Sequence, residues 1–153
     1  MLEQFLNSYI ASKEIYEEGD IIIGEGGKGD WVFVILEGKV KVKKRTGKGT
    51  VTLAKLKEGD FFGEIAFLAR GEGERSASVI AADGLVCVGV LDSELLIKDY
   101  EGISPQLRDL LKNLIQKLRN SSDNLELPKL YLTVSECSSR FDRTKDSFVM
   151  LRD

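Results

Sequence analysis

Histidine is absent from the 153-residue chain. Its absence removes every histidine-based zinc, iron or copper site, every Cys/His or Ser/His pair, and any imidazole general base. Cysteine is scarce. Cys87 and Cys137 match neither a disulfide framework nor a metal-ligand spacing, so both read as reduced thiols, and Cys87, between Val86 and Val88, reads as core. Proline occurs twice in a chain that is 42% apolar and 31% charged, a balance that fits a folded soluble protein and excludes a disordered one. No apolar run approaches the roughly 18 residues that cross a bilayer. The start, Met1-Leu2-Glu3-Gln4, has no basic segment leading into an apolar one. A cytoplasmic protein with no membrane partner is expected.

The length suits one ordinary globular domain with a modest extension. A net charge of −3 gives no support to nucleic-acid binding by the chain as a whole. Charge is nevertheless uneven. Lys39 to Lys57 holds eight lysines and arginines and no acid, whereas Glu14 to Glu37 holds seven acids against Lys28 alone. The basic stretch reads as a solvated strand face, with a dedicated charged patch as the alternative.

Leu2, Phe5, Leu6, Tyr9 and Ile10 recur at helical spacing and predict a short amphipathic helix. From Ile15 to Leu91 the texture changes to short runs rich in Val, Ile and Phe: Ile21 to Ile23, Trp31 to Leu36, Val40 to Lys44, Thr50 to Leu56 and Ser78 to Leu91. Glycine turns between them predict an antiparallel sandwich or barrel. In Lys39-Val40-Lys41-Val42-Lys43 the alternation puts valines inside and lysines outside. Asp92-Ser93 predicts a cap for a helix through Tyr100, broken at Gly102, and Ser104-Pro105 begins another to about Asn120. In that last helix Leu107, Leu111, Leu114 and Leu118 follow the spacing of a coiled-coil seam. The polar run from Ser121 to Asn124 and then Pro128 mark a joint. Residues 1–120 therefore form the domain and 121–153 an extension, in which Lys129 to Asp153 is left without an assigned fold.

One constellation points to chemistry. Phe62-Gly63-Glu64-Ile65-Ala66 is followed, after a glycine-rich stretch, by Arg75-Ser76-Ala77-Ser78. A helical turn starting at Gly63 would aim the N–H groups of Ile65 and Ala66 at an anion, and Arg75 would add a charge-assisted contact. Glu64, a carboxylate and hence an acceptor, makes sense beside an anion if it meets a sugar hydroxyl. Glu64 with Arg75 fits a ligand carrying hydroxyl and phosphate on one ring.

With these residues in place, the sequence resembles the cyclic-nucleotide-binding domain, the family of kinase regulatory subunits, gated channels and the bacterial catabolite activator protein. Glu25-Gly26-Gly27-Lys28-Gly29-Asp30 and Phe33 to Val40 are similar to its first glycine turn and strand. Glu18-Gly19-Asp20 and Glu58-Gly59-Asp60-Phe61 are similar to its turn signatures, and the two segments around Glu64 and Arg75 to its phosphate-binding cassette. The resemblance runs from about Ile10 to Ser122. It implies a mainly β fold with flanking helices: an antiparallel β-roll (jelly-roll, cupin-like) with an N-terminal helix and C-terminal lid helices.

The resemblance also implies roles. Glu64 would bind the ribose 2′-hydroxyl, Gly63, Ile65 and Ala66 would line the sugar-phosphate, and Arg75, Ser76 and Ala77 would form the phosphate end. Val42 and Leu53 fall where the family packs sugar and base, and Ser121 and Ser122 where hydroxyls reach the base. Ile65 to Glu74 is one or two residues longer than is common in the family, and Gly71 and Gly73 predict an outward bulge that leaves Arg75 in place. The reading is a non-catalytic sensor that prefers cAMP to cGMP, holds no metal, and dimerises through Leu107, Leu111, Leu114 and Leu118. Direct DNA binding is not expected, since Lys129 to Asp153 shows no basic recognition helix. The rivals are a receptor-like domain that docks or dimerises without ligand, and a cupin enzyme, which usually needs histidine ligands for a metal and against which the missing histidines count strongly.

Overall fold

The computed structural model describes residues 2–69 and 74–123. The element order is α1 (Leu2–Tyr9), β1 (Ile10–Tyr16), β2 (Ile21–Ile23), β3 (Phe33–Thr46), β4 (Gly49–Lys57), β5 (Phe61–Phe62), α2 (Glu64–Leu68), β6 (Ser78–Leu91), α3 (Ser93–Gly102) and α4 (Pro105–Asp123). The sheet runs β1-β6-β3-β4, with β2 paired to β6 and β5 to β3, and every pairing is antiparallel. A mainly β fold with flanking helices is therefore correct.

Three elements depart from the sequence pattern. Ile10, placed on the first helix by spacing, opens β1, because pairing of Ile10 with Leu91 holds it extended. The β1 segment Ile10–Tyr16 carries no strand alternation: Ser12, Lys13 and Glu14 are three polar residues in a row, and everything between its two half-buried ends is exposed, Ile15 included. Trp31 to Leu36 and Val40 to Lys44 are not separate strands but belong to one region in which β3 runs straight through Gly38. Gly38 sits at φ +92°, and a Cβ there would lie 2.6 Å from the carbonyl oxygen of Leu85. It marks an irregularity in the β3–β6 register and a close strand approach rather than a turn.

The alternation read in β3 and β6 sets the core. Val40, Val42, Val79, Ala81, Val86 and Val88 point inward with Ile23, Phe33, Leu53 and Phe62, and the Phe33 and Phe62 rings stack at 5.0 Å. Cys87 is half-buried and faces the other way, as a period of two demands once Val86 and Val88 are inside. Cys137 lies outside the described residues.

A second cluster, Leu6, Val32, Val34 and Leu91, is covered by Tyr9 of α1, Phe67 of α2 and Leu96 of α3. The Tyr9 hydroxyl donates to the Asp99 carboxylate, joining α1 to α3. As expected, Asp92 caps α3, its carboxylate accepting from the N–H groups of Glu94 and Leu95. Ser104 accepts from Leu107 N–H at the start of α4. That helix continues past Asn120, through Ser121 and Ser122, to Asp123. On it Ile115 is buried and Leu111 and Leu118 are half-buried, whereas Leu107 and Leu114 are exposed.

Candidate functional site

The short helix α2 and the segment entering β6 meet at Arg75. Its side chain is only 8% exposed. Nη1 donates to the Gly63 carbonyl and Nη2 to the Trp31 carbonyl, each at 3.0 Å. The main chain is held as firmly: Arg75 N–H donates to Gly27 O, and Gly26 N–H donates to Arg75 O, both at 2.8 Å. The glycine turn between β2 and β3 thus brackets the arginine. Next to it, Glu25 N–H donates to the Ser78 hydroxyl.

Gly63 precedes α2 at φ +86°, in the left-handed region. A Cβ on it would lie 2.5 Å from the Trp31 carbonyl oxygen and 3.0 Å from Arg75 Nη1. Glycine is required here on two counts, conformation and space. Gly63 supplies no capping side chain, so the first N–H groups of α2 are left without a helical partner. They belong to Glu64, Ile65 and Ala66.

Glu64 shares this environment. Burial pushes its carboxyl above the usual carboxylate range, opposed by a hydrogen bond from its own main-chain N–H and by the nearby Arg75. Burial likewise pulls the Arg75 guanidinium below its usual value, and Asp30 and Glu64 favour its charged form. A charge that is removed from water is retained because main-chain dipoles and carboxylates face it.

Of the residues singled out in the sequence, Gly63, Glu64, Ile65, Ala66 and Arg75 come together here. Ser76 is half-buried beside them, and Ala77 is buried in the β core. Val42 and Leu53 lie in that same core, 6% and 7% exposed, with Ile23, Phe62 and Ala77. Ser121 and Ser122 occupy the last turn of α4, and their side chains lie outside the described residues, as do residues 70–73, where the glycine bulge was expected. α4 packs against α2, so the long helix rests on the helix that carries Glu64.

Sequence reasoning assigned no role to Trp31, Gly29 or Asp30. All three bear on Arg75: the Trp31 carbonyl accepts from Nη2, the charge of Asp30 favours the charged guanidinium, and Gly29 sits at a φ of +135°, where an added Cβ would lie 3.7 Å from Nη2. Four glycines among Gly24, Gly26, Gly27 and Gly29 were the available signal, since such density marks backbone brought close to something.

Residues 13–98 match the model of the cyclic nucleotide-binding domain. The human cGMP-dependent protein kinase 2 is 36% identical over 106 residues, which cover 66% of this chain and 14% of the kinase. The chain thus spans a small part of that relative's length. Among solved structures, a cyclic nucleotide-binding domain from Methylobacillus flagellatus superimposes with a TM-score of 0.56 at 29% identity, covering 84% of this chain and 72% of that one. The regulatory domain of Toxoplasma gondii PKA with cAMP gives a TM-score of 0.52 at 28% identity, covering 69% and 38%.

Proposed function

The chain belongs to the cyclic nucleotide-binding domain family, and we propose that it is a non-catalytic sensor whose ligand is a cyclic nucleotide, cAMP in preference to cGMP. The observation that carries this reading is the buried Arg75 guanidinium pinned at Gly63. A guanidinium has five N–H donors in a planar fork. Two of them hold the group to main-chain carbonyls, which fixes the orientation of the fork for a cyclic phosphate. The N–H groups of Ile65 and Ala66 face the same anion, and Glu64 accepts from the ribose 2′-hydroxyl. Val42 and Leu53 supply apolar contact to sugar and base. Val42 and Leu53 are also core, so their role in binding is inseparable from packing.

The relatives divide on the base: one is named for cGMP and another was solved with cAMP. Our preference for cAMP rests on the similarity of Gly71 to Ala77 to the bacterial activator and on hydroxyls at Ser121 and Ser122. Ser76 is compatible with either base. α4 is the element that reports occupancy, because it rests on α2 and a ligand at α2 shifts whichever α4 position it contacts better. The exposed Leu107 and Leu114 side chains, with Leu111 and Leu118, are proposed to meet a second copy.

Calorimetric titration of the full chain with cAMP and cGMP tests the site and the base choice together. Saturable binding of cAMP is expected, weakened by 2′-deoxy-cAMP's missing hydroxyl and abolished in Arg75→Ala. Tenfold tighter binding of cGMP would reverse the base choice. Absence of binding by either nucleotide would leave a receptor-like module that acts in docking or dimerisation. Sedimentation of Leu114→Glu against wild type tests the seam: a dimer that becomes monomeric supports it, and a wild type that is monomeric at high micromolar concentration refutes it.

A further inference from the structure

The outer face of the sheet is built on a different principle from the inner one. β3 buries Val40 and Val42, which turns Lys39, Lys41 and Lys43 to the other side. In the β3–β4 ladder Lys39 lies opposite Lys57 and Lys41 opposite Lys55. Directly opposed residues share a face, so five lysines stand in two columns roughly 4.8 Å apart, with roughly 7 Å between successive rungs. Like charges placed this way weaken a sheet. Among the described residues, only Lys39 of the five has a carboxylate within reach, Asp83 at 3.9 Å, and both of those side chains are more than half exposed.

Protection of a sheet edge explains part of this pattern. β4 ends the sheet path, and lysines on an edge strand discourage pairing with other chains. β3, however, lies between β6 and β4, so Lys39, Lys41 and Lys43 guard no edge. The face also changes character along one row. Lys55 opposes Lys41, Lys41 opposes Ile80 on β6, and Ile80 opposes Ile21 on β2. Ile21 is 63% exposed. One row of the sheet thus runs from cations through Ile80 to an uncovered apolar side chain.

We propose that this face, Lys39, Lys41, Lys43, Lys55 and Lys57 with Ile21 beside them, docks on an anionic lipid membrane. Lysines outnumber Arg45, the one arginine that continues the β3 column, and as point charges without a fork they suit a field of mobile headgroups; defined carboxylates on a protein partner favour arginine. No aromatic residue occurs from Lys39 to Lys57, so the face has no platform for stacking nucleic-acid bases. Ile21 seats at the boundary between headgroups and acyl chains, as the apolar side of a surface-bound element does. Among the described residues no helix is long and apolar enough to cross a membrane. The lack of such a helix bears on helical spans alone and leaves open a protein lying on the surface, which is what we propose in place of the expected absence of a membrane partner. The proposal is independent of the proposed nucleotide site, whose Glu64 and Arg75 lie on α2 and before β6 and whose Val42 and Leu53 are buried in the core.

Co-sedimentation of the full chain with vesicles tests it. With about 30% phosphatidylserine in phosphatidylcholine the protein pellets at low salt and is released as ionic strength rises; with phosphatidylcholine alone it stays in the supernatant. Lys41→Glu with Lys55→Glu lowers partitioning at least about tenfold. Lys41→Thr with Lys55→Thr lowers it less, keeps the circular dichroism spectrum and melts no lower than wild type, which separates lost docking from lost folding. Ile21→Ser lowers it a few-fold at constant charge. Equal partitioning to neutral vesicles, no effect of the two lysine pairs in folded protein, or binding to a poly-glutamate peptide without binding to the anionic vesicles would each overturn the proposal, the last in favour of an acidic protein partner.

Discussion

The guanidinium of Arg75 is buried and donates to two main-chain carbonyls, whereas Lys41 and Lys55 oppose one another on the outside of the sheet with no carboxylate within reach among the described residues. Both are cations of one domain, Lys41 on β3 and Arg75 just before β6, the strand paired with β3. Arg75 is held so tightly that its direction is fixed before any ligand arrives, and the cost of its desolvation is offset by oriented carbonyls and by Asp30 and Glu64. Lys39, Lys55 and Lys57 are exposed and Lys41 and Lys43 half-buried, and their charges add to a field that salt can screen. One arrangement suits a single phosphate in a defined pose and the other suits a surface of many charges. Residue type follows the same division, since a fork is useful only where geometry is fixed.

The sharpest way to break this contrast is to remove the buried cation. Arg75→Ala is expected to abolish cyclic-nucleotide binding in calorimetry and to leave the Trp31 carbonyl without its donor, at about 1–3 kcal/mol if water does not reach it, while the Gly63 carbonyl keeps only the long bond from Phe67 N–H at 3.4 Å. Arg75→Lys should recover part of the stability and little of the affinity, because an ammonium cannot satisfy both carbonyls and a phosphate. Unchanged affinity in either variant would remove Arg75 from the site.

Gly63→Ala attacks the same arginine from the other side. The added Cβ meets the Trp31 carbonyl oxygen at 2.5 Å and the left-handed φ is unfavourable for alanine. A loss of about 1–3 kcal/mol in chemical denaturation is expected, with weaker ligand binding as the guanidinium is displaced. Wild-type stability would show that the loop relaxes freely and that Arg75 is not rigidly seated.

The lysine face should respond in the opposite direction. Lys41→Thr with Lys55→Thr removes a directly opposed like-charge pair and is expected to raise stability by roughly 0.2–1 kcal/mol, more at low than at high salt. A destabilised variant would mean that the lysine stems pack on the sheet and contribute through contact.

The smallest effect sharpens the electrostatics around Arg75. The Glu64 carboxyl is raised by burial, so the folded state keeps a proton that the unfolded chain has already released. Stability linked to this group is therefore lost as pH rises from the ordinary carboxylate range through the raised folded value. Glu64→Gln should melt higher than wild type at neutral pH, and the difference should close as pH falls below that range. A gap that persists at low pH would assign the effect to packing.

Much of the architecture was legible in the residues. The lysine–valine alternation of β3, the Asp92 and Ser104 caps, and the five-residue turn after Gly63 are local signals, carried by neighbours within a few positions, and local sterics and hydrogen bonding suffice to produce them. The pairing of Glu64 with Arg75 was also readable, because one ligand chemistry demands both. Other features required the folded chain. Ile10–Tyr16 is a strand because β6 pairs with it, although Ser12-Lys13-Glu14 breaks any alternation. Arg75 is anchored by carbonyls 12 and 44 positions away, and no periodicity encodes a contact at such separations. Likewise the sequence shows eight basic residues between Lys39 and Lys57 but not that Lys39 would face Lys57 and Lys41 face Lys55, which the β3–β4 register decides. Local pattern sets which way a side chain points, and only the closing of the sheet sets what it points at, because that depends on segments brought together from far apart in the chain.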